Sequence, residues 1–240
     1  HSMAFVTPLL APCPSVITVY DLSFYHFPER FPALQRWYLS SQTRRSCQRA
    51  RRIITISESS RQDVHRFLGV PLAQIDVVVP GVDAVYHPLP PAKVAAFRQK
   101  HGLGRFVLHV GTLQPRKNIP VLIEAFARLD DPILKLVLVG GKGWLYDNIF
   151  RQVQALGLTE RVIFTGYVPD DDLPLWYNAA ELLVFPSVYE GFGLPVVEAM
   201  ACGTPVIASS SSSIPEAVGE AGLLFAPDDV ATLANQMTAV

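Results

Sequence analysis

Short runs of Val, Ile and Leu alternate along the chain with longer stretches in which apolar residues recur at helical spacing. That alternation predicts strand and helix units wound into a parallel sheet covered on both faces, an α/β fold from end to end. In the first part, residues 16–20, 53–56 and 75–79 read as strands, and residues 34–51 and 59–68 as helices. Ser59 with Gln62 three residues later reads as a capping box. Pro80, Pro88, Pro90 and Pro91 then break all periodicity before a fresh helical stretch at 93–100. Proline favours a boundary there, so residues 1–91 are expected to form one domain with its link and residues 92–240 a second.

From Phe106 onward the units are more regular. Strands are predicted at 106–110, 134–139, 162–164, 182–185 and 205–208, with helices at 118–129, 145–156, 172–179 and 195–202. Such a series predicts a doubly wound sheet of five strands. The first part offers three strands and lacks the strand, glycine turn and helix with which such sheets usually open, so an incomplete N-terminal domain is expected. Residues 230–240 look like a helix without a cap, which suggests the same of the other end. Ser209 to Ser213 reads as a loop.

Composition narrows the chemistry. With half its residues apolar and a net charge of −1, the chain has no global charge with which to hold nucleic acid. Any anion site must be built locally from a few cations. Cys13, Cys47 and Cys202 have no metal-like spacing and suit a reducing compartment. The expected location is the cytoplasm or the inner face of its membrane.

Two segments carry candidate chemistry. The strand at 106–110 runs into Gly111, Thr112, Leu113, Gln114, Pro115, Arg116, Lys117 and Asn118 before a helix. Ligands on doubly wound sheets bind at the carboxyl ends of strands. Gly111 removes a Cβ where a ligand could approach the backbone, and Arg116 with Lys117 supplies charge to match a diphosphate. The plainer reading of an isolated Arg-Lys pair is two solvated loop charges. The second segment, Glu190-Gly191-Phe192-Gly193-Leu194-Pro195-Val196-Val197-Glu198, also follows a strand and enters a helix. Two glycines leave backbone N–H groups available at a helix N-terminus, where anions are favoured. Carboxylates at Glu190 and Glu198 suit pairs of sugar hydroxyls. Taken singly, each acid also reads as an ordinary loop or first-turn charge.

Gly111-Thr112 with Arg116-Lys117-Asn118, and the E-x7-E spacing from Glu190 to Glu198, resemble the GT-B type retaining glycosyltransferases, the group 1 or family 4 enzymes, and among them bacterial mannosyltransferases. Tyr20-Asp21-Leu22-Ser23-Phe24, Ile56-Ser57-Glu58-Ser59-Ser60 and Pro80-Gly81-Val82-Asp83 are similar to further landmarks of that family. The resemblance implies two Rossmann-like domains, with donor bound by the C-terminal one. It places Arg116 and Lys117 at the donor diphosphate and Glu190 at the transferred sugar. Gly111 and Thr112 would lie beside the phosphates, the backbone at Phe192, Gly193 and Leu194 would assist, and Glu198 would hold the ribose. Tyr167 and Val168, in Gly166-Tyr167-Val168-Pro169, would lie near the nucleobase. GDP-mannose is the first expectation for the donor, with UDP-glucose and ADP-glucose as alternatives, and a glycan or lipid-linked molecule for the acceptor. Tyr20 stands where many relatives carry a His, and the glycine-rich opening loop of the family is missing. Both departures point to donor binding without turnover.

Rival readings have identifiable signatures. A glycosidase would also use paired carboxylates, but it leaves the basic pair unexplained. A sugar-nucleotide binding module, or an epimerase of the same architecture, would share the donor residues. Asp170-Asp171-Asp172 contains a D-x-D spacing that other glycosyltransferases use for metal, yet N-capping and the helix dipole explain it, and metal-independent binding is expected. Gly140-Gly141-Lys142-Gly143 lacks the spacing of a phosphate loop and reads as a turn. His109, inside a strand, reads as a hydrogen-bonded core residue. Arg44, Arg45, Arg49, Arg51 and Arg52 read as a solvated helix end, with attraction to an anionic membrane surface as the second reading.

Overall fold

The computed structural model describes residues 1–8, 13–141, 143 and 147–240. The chain divides into two compact units, residues 1–81 with 190–192, and residues 82–189 with 193–240.

The first unit has strand β1 (Val16–Val19), helix α1 (Ser23–His26), helix α2 (Ala33–Arg49), strand β2 (Arg52–Thr55), helix α3 (Glu58–Leu68) and strand β3 (Ile75–Val77). The strands form a parallel sheet in the order β1-β2-β3, and Ser2 adds an isolated parallel bridge to Ile17. Ile17, Val19, Ile53 and Val64 are fully buried in its core. The capping box expected at Ser59 is not formed. Ser57 is the N-cap, in extended backbone, and its side chain accepts from the Ser60 amide at 3.0 Å, while Gln62 Nε2 donates to Glu58 at 2.6 Å. The helix therefore begins a residue earlier, since Ser57 can satisfy an early amide and Ser59 already lies within the first turn.

In the second unit helix α4 (Pro91–Lys100) precedes strand β4 (Phe106–Val110), helix α5 (Ile119–Ala127), strand β5 (Lys135–Val139), helix α6 (Asp147–Ala155) and strand β6 (Val162–Gly166). Helix α7 (Leu173–Ala179) crosses to strand β7 (Leu182–Phe185), followed by helix α8 (Leu194–Ala201), strand β8 (Val206–Ser209), helix α9 (Ile214–Val218), strand β9 (Leu223–Phe225) and helix α10 (Val230–Ala239). All strands are parallel, in the order β6-β5-β4-β7-β8-β9. Six strands are present where the hydrophobic pattern predicts five. β9 is three residues long, too short for a periodic signal, and it packs closely because a Cβ on Gly222 would lie 2.9 Å from the Val206 carbonyl. Helix α9 was also hidden. The serine run before it is partly a strand end and an N-cap, since β8 closes at Ser209 and Ser213 precedes α9.

Winding reverses between β4 and β7, and the carboxyl ends of those neighbours are where a doubly wound sheet opens a crevice. Every residue of β4 and β7 is buried, as expected for strands covered on both faces. Their ladder has only two register pairs, Val107↔Leu182 and Leu108↔Leu183, although each strand continues. Beyond that point the fully buried His109 ring sits 3.1 Å from the Val184 carbonyl through Nδ1. A carbonyl can only accept, so Nδ1 carries the proton and the imidazole supplies a donor where the ladder has stopped. The turn expected at Gly140 to Gly143 is present at its described residues, with Leu113 N donating to Gly141 O and Gly143 N to Leu113 O, both at 3.0 Å. Lys142 and the expected helix start at Leu145 lie outside the described residues.

Candidate functional site

The loop after β4 is built for close approach. Gly111 has φ +154°, and a Cβ there would lie 3.1 Å from Lys117 Cε and 3.4 Å from its Nζ. Gly140 has φ +147°, and its Cβ would fall 2.1 Å from the Gly111 carbonyl oxygen, so the two glycine backbones are in direct contact. Pro115–Lys117 forms a 3-10 turn that ends on Asn118, a non-glycine residue in the left-handed region at φ 52°. Asn118 tolerates this because its side chain is anchored, with Nδ2 donating to the Pro227 carbonyl at 2.7 Å. Helix α5 thus starts after Asn118 rather than at it.

That turn sets the surroundings of the basic pair. Lys117 is not a solvated charge: it is buried, with Nζ 4.9 Å from the centroid of the Phe185 ring, at the last residue of β7. The ring face offers a cation–π contact. Arg116 is half-buried and its Nη1 donates to the Tyr189 carbonyl, while the Val188 amide donates back to the Arg116 carbonyl at 3.0 Å. The loops after β4 and β7 are therefore tied together through residues 116 and 188–189. Glu190 is the next residue along the chain. Thr112 is exposed at the tip of its loop.

Residues 190–192 belong to the first unit. There the Gly191 carbonyl accepts from Ser57 Oγ at 2.7 Å, and a Cβ on Gly191 would lie 2.6 Å from the Tyr20 carbonyl oxygen. Glycine is required at that approach. Glu190 and Phe192 are both buried. In the second unit Gly193, at φ +113°, is the N-cap of α8, and Leu194 opens the helix with 43% exposure.

Glu198 lies in the second turn of α8, and its Oε2 accepts from the Tyr177 hydroxyl at 2.7 Å. Burial pushes the Glu198 carboxyl above its ordinary value. A hydrogen bond from Tyr177 opposes the rise, the charge of Asp170 adds to it, and a hydrogen bond from Tyr86 opposes it again. Tyr177 is fully buried, and the Tyr86 ring meets it edge-on at 5.8 Å. Sequence reasoning missed both tyrosines. They stand 21 and 112 residues from Glu198 and only the fold brings them together; an aromatic residue in the helix preceding β7 was the one available signal.

Tyr167 is 74% exposed, whereas Val168 lines a cavity of about 370 Å³ with Ile163, Thr165, Pro169, Asp172 and Trp176. The two nucleobase candidates thus face different surroundings. Asp170–Asp172 forms a 3-10 turn, and Asp172 caps α7 without a side-chain hydrogen bond, so the expected N-capping by side chain is absent. Asp172 has helical backbone angles, which carry its carboxylate away from the early amides. Among the described residues no group of His, Cys, Asp and Glu could hold a metal ion.

Residues 94–240 match the glycosyl transferases group 1 family, and residues 1–86 match glycosyltransferase family 4. The chain belongs to the group 1 glycosyltransferases. Among the relatives of the chain, the O-antigen chain mannosyltransferase B of Escherichia coli is 39% identical over 222 residues, covering 90% of the chain and 58% of the relative. A 2-deoxystreptamine glucosyltransferase of Streptomyces kanamyceticus is 32% identical over 244 residues, covering 98% of the chain and 63% of that enzyme. The crystal structure of Anabaena HepE in complex with UDP and glucose superposes with a TM-score of 0.81 at 28% identity, over 94% of the chain and 61% of HepE. The chain therefore spans about three fifths of each of these proteins. Its fold is the GT-B type, with parallel sheets of Rossmann-like form.

Proposed function

We propose that the chain carries the donor site of a hexosyltransferase that moves a hexose, mannose or glucose, from a nucleotide-diphosphate sugar to an acceptor hydroxyl with retention at the anomeric carbon. The observation that carries this reading is the pairing of Arg116 and the buried Lys117 with the loop after β7 at the switch point of the sheet. A nucleotide diphosphate is already a good leaving group, so transfer depends more on cations that stabilise its departing charge than on an acid that protonates it. Arg116 and Lys117 fill that role. Gly111 and Thr112 border the phosphates, Glu190 meets the transferred sugar, the backbone at Phe192, Gly193 and Leu194 assists, Glu198 takes the ribose hydroxyls, and Tyr167 and Val168 flank the base. Residues 92–240 supply the donor domain and residues 1–91 the acceptor side.

The relatives named above include a mannosyltransferase and a glucosyltransferase, which supports a hexose donor. Calorimetric titration with GDP-mannose, UDP-glucose and ADP-glucose tests the proposal, and GDP-mannose is expected to bind tightest. Binding of none of the three, or release of free sugar from a simple glycoside without nucleotide, overturns it.

The acceptor is proposed to be a glycan or lipid-linked molecule, with the basic end of α2 resting on an anionic membrane surface. Leu34, Trp37 and Tyr38 are exposed on the same helix, and Arg44, Arg45 and Arg49 are exposed nearer its end. Such a combination of apolar and basic side chains suits the headgroup region. Arg52 contributes least, since its guanidinium is taken by Asp76 with Nε to Oδ2 at 2.8 Å. Sedimentation with anionic but not neutral vesicles is the expected result. Among the described residues no helix is long and apolar enough to cross a membrane.

A further inference from the structure

Within the second unit the Glu198 carboxylate is already held by a buried phenol. Its Oε2 accepts from Tyr177 at 2.7 Å, and the Tyr86 ring packs edge-on against Tyr177 at 5.8 Å. Both phenols are themselves held. The Tyr177 carbonyl accepts from Thr204 Oγ1 at 2.7 Å, and its ring is fully buried. The backbone just after Tyr86 is clasped by Asn178, whose Nδ2 donates to the His87 carbonyl at 3.0 Å and whose Oδ1 accepts from the Leu89 amide at 2.8 Å. Asn178 follows Tyr177 in α7, so one helix turn carries Tyr177 and anchors the segment after Tyr86.

A carboxylate offers about four acceptor positions. The Tyr177 hydroxyl takes one and leaves room for the two that a vicinal diol fills. We infer that Tyr177, backed by Tyr86, is the positioning residue that fixes the Glu198 carboxylate for the cis-diol of a ribonucleotide. It thereby sets how strongly the site prefers ribose to a sugar lacking those hydroxyls. The inference rests on the proposed role of Glu198 at the ribose.

Electrostatics support the geometry. Burial and the nearby charge of Glu198 push the Tyr86 phenol up to about 12 and the Tyr177 phenol well above its ordinary value, so both remain protonated donors across the working pH range. Their hydrogen bonds favour the charged form of Glu198 against burial and against Asp170. Cys202, the C-cap of the helix that carries Glu198, is a thiol pushed up to about 11 and stays neutral. Only the carboxylate form has all its acceptor positions available, so affinity for a diol should fall on the acidic side as Glu198 gains a proton. Removing the Tyr177 donor raises the pH at which that loss sets in.

The test compares wild type with Tyr177→Phe, Tyr86→Phe and Glu198→Gln, using UDP and GDP and their 2′,3′-dideoxy forms across a range of pH by calorimetry, with thermal melts as a check on folding. Tyr177→Phe is expected to weaken ribonucleotide binding roughly tenfold, the loss of one hydrogen bond to a charged group, while leaving the dideoxy forms unchanged. The acidic midpoint of binding should move to higher pH, and Tyr86→Phe should shift it in the same direction. Phosphate ionisation of the ligand is common to all variants and cancels in that comparison. Wild-type ribonucleotide affinity and an unmoved midpoint in Tyr177→Phe overturn the inference, as does an equal loss for ribo and dideoxy ligands. If Glu198→Gln keeps its preference for ribose, the role of Glu198 itself fails and the inference with it. If Glu198→Gln loses that preference and Tyr177→Phe does not, only the inference fails.

Discussion

Replacing Gly111 with alanine tests whether the loop after β4 must present bare backbone. At φ +154° an L-residue is strained, which costs about 1–3 kcal/mol. At roughly 2–4 °C per kcal/mol for a unit of this size, the melting temperature should fall by several degrees. The new methyl would also stand 3.1 Å from Lys117 Cε, so the lysine stem must retreat by about half an ångström to reach ordinary contact distance. Its Nζ, 3.4 Å from the methyl, moves with it. If that ammonium grips a diphosphate, misplacing it forfeits up to one charge-assisted hydrogen bond, about 1.5–3 kcal/mol, or roughly 10- to 100-fold in affinity. Gly140→Ala is the contrast. Its methyl would meet the Gly111 carbonyl at 2.1 Å, a backbone atom that cannot step aside, and the loop itself must be displaced. The expected order in thermal melts is wild type, Gly111→Ala, then Gly140→Ala, with titration of GDP-mannose and UDP-glucose showing the affinity loss in Gly111→Ala at temperatures where it is folded. A Gly111→Ala protein that binds both donors as wild type does would refute the close-approach argument.

Arg116→Ala and Glu190→Ala should each weaken donor binding about tenfold or more while the circular dichroism spectrum stays native; unchanged affinity in both removes the donor site from these residues. Glu198→Gln should stabilise the fold at neutral pH. The Glu198 carboxyl is raised in the folded state, so the stability it contributes is present below its unfolded value of 4.5 and is lost as pH rises through the folded value. The melting advantage of the glutamine variant should therefore be largest near neutrality and shrink on acidification, and an advantage that grows in acid would contradict the sign. His109→Leu removes the donor to a buried carbonyl and should cost about 1–3 kcal/mol by urea titration; a neutral result would show that Val184 finds another donor.

How far the sequence could be read depended on the range of the interactions involved. β7 is a continuous apolar run and β4 one interrupted by His109, and each appears at its expected residues. β9 and α9 are three and five residues long, so neither completes a period that a pattern could reveal. At the start of α3 two serines compete for the same cap, and local spacing favours the wrong one because the choice depends on the backbone at Ser57. The candidate site divides in the same way. The identity and spacing of Arg116, Lys117, Glu190 and Glu198 are local and could be read directly. That Lys117 lies against Phe185, and that Glu198 is held by Tyr177, depends on strands and helices distant in sequence.

The short ladder between β4 and β7 has a consequence for specificity. Its two pairs end before the strands do, and a histidine ring takes the next carbonyl. At a switch point the crevice opens between the carboxyl ends of two neighbouring strands, so the length of their shared seam bears on it together with the loops above. A change at position 109 or 184 that let the seam close by one more pair would narrow the opening while leaving Arg116, Lys117 and Glu198 in place. Donor size could in this way be retuned from inside the sheet, by residues that never meet the donor.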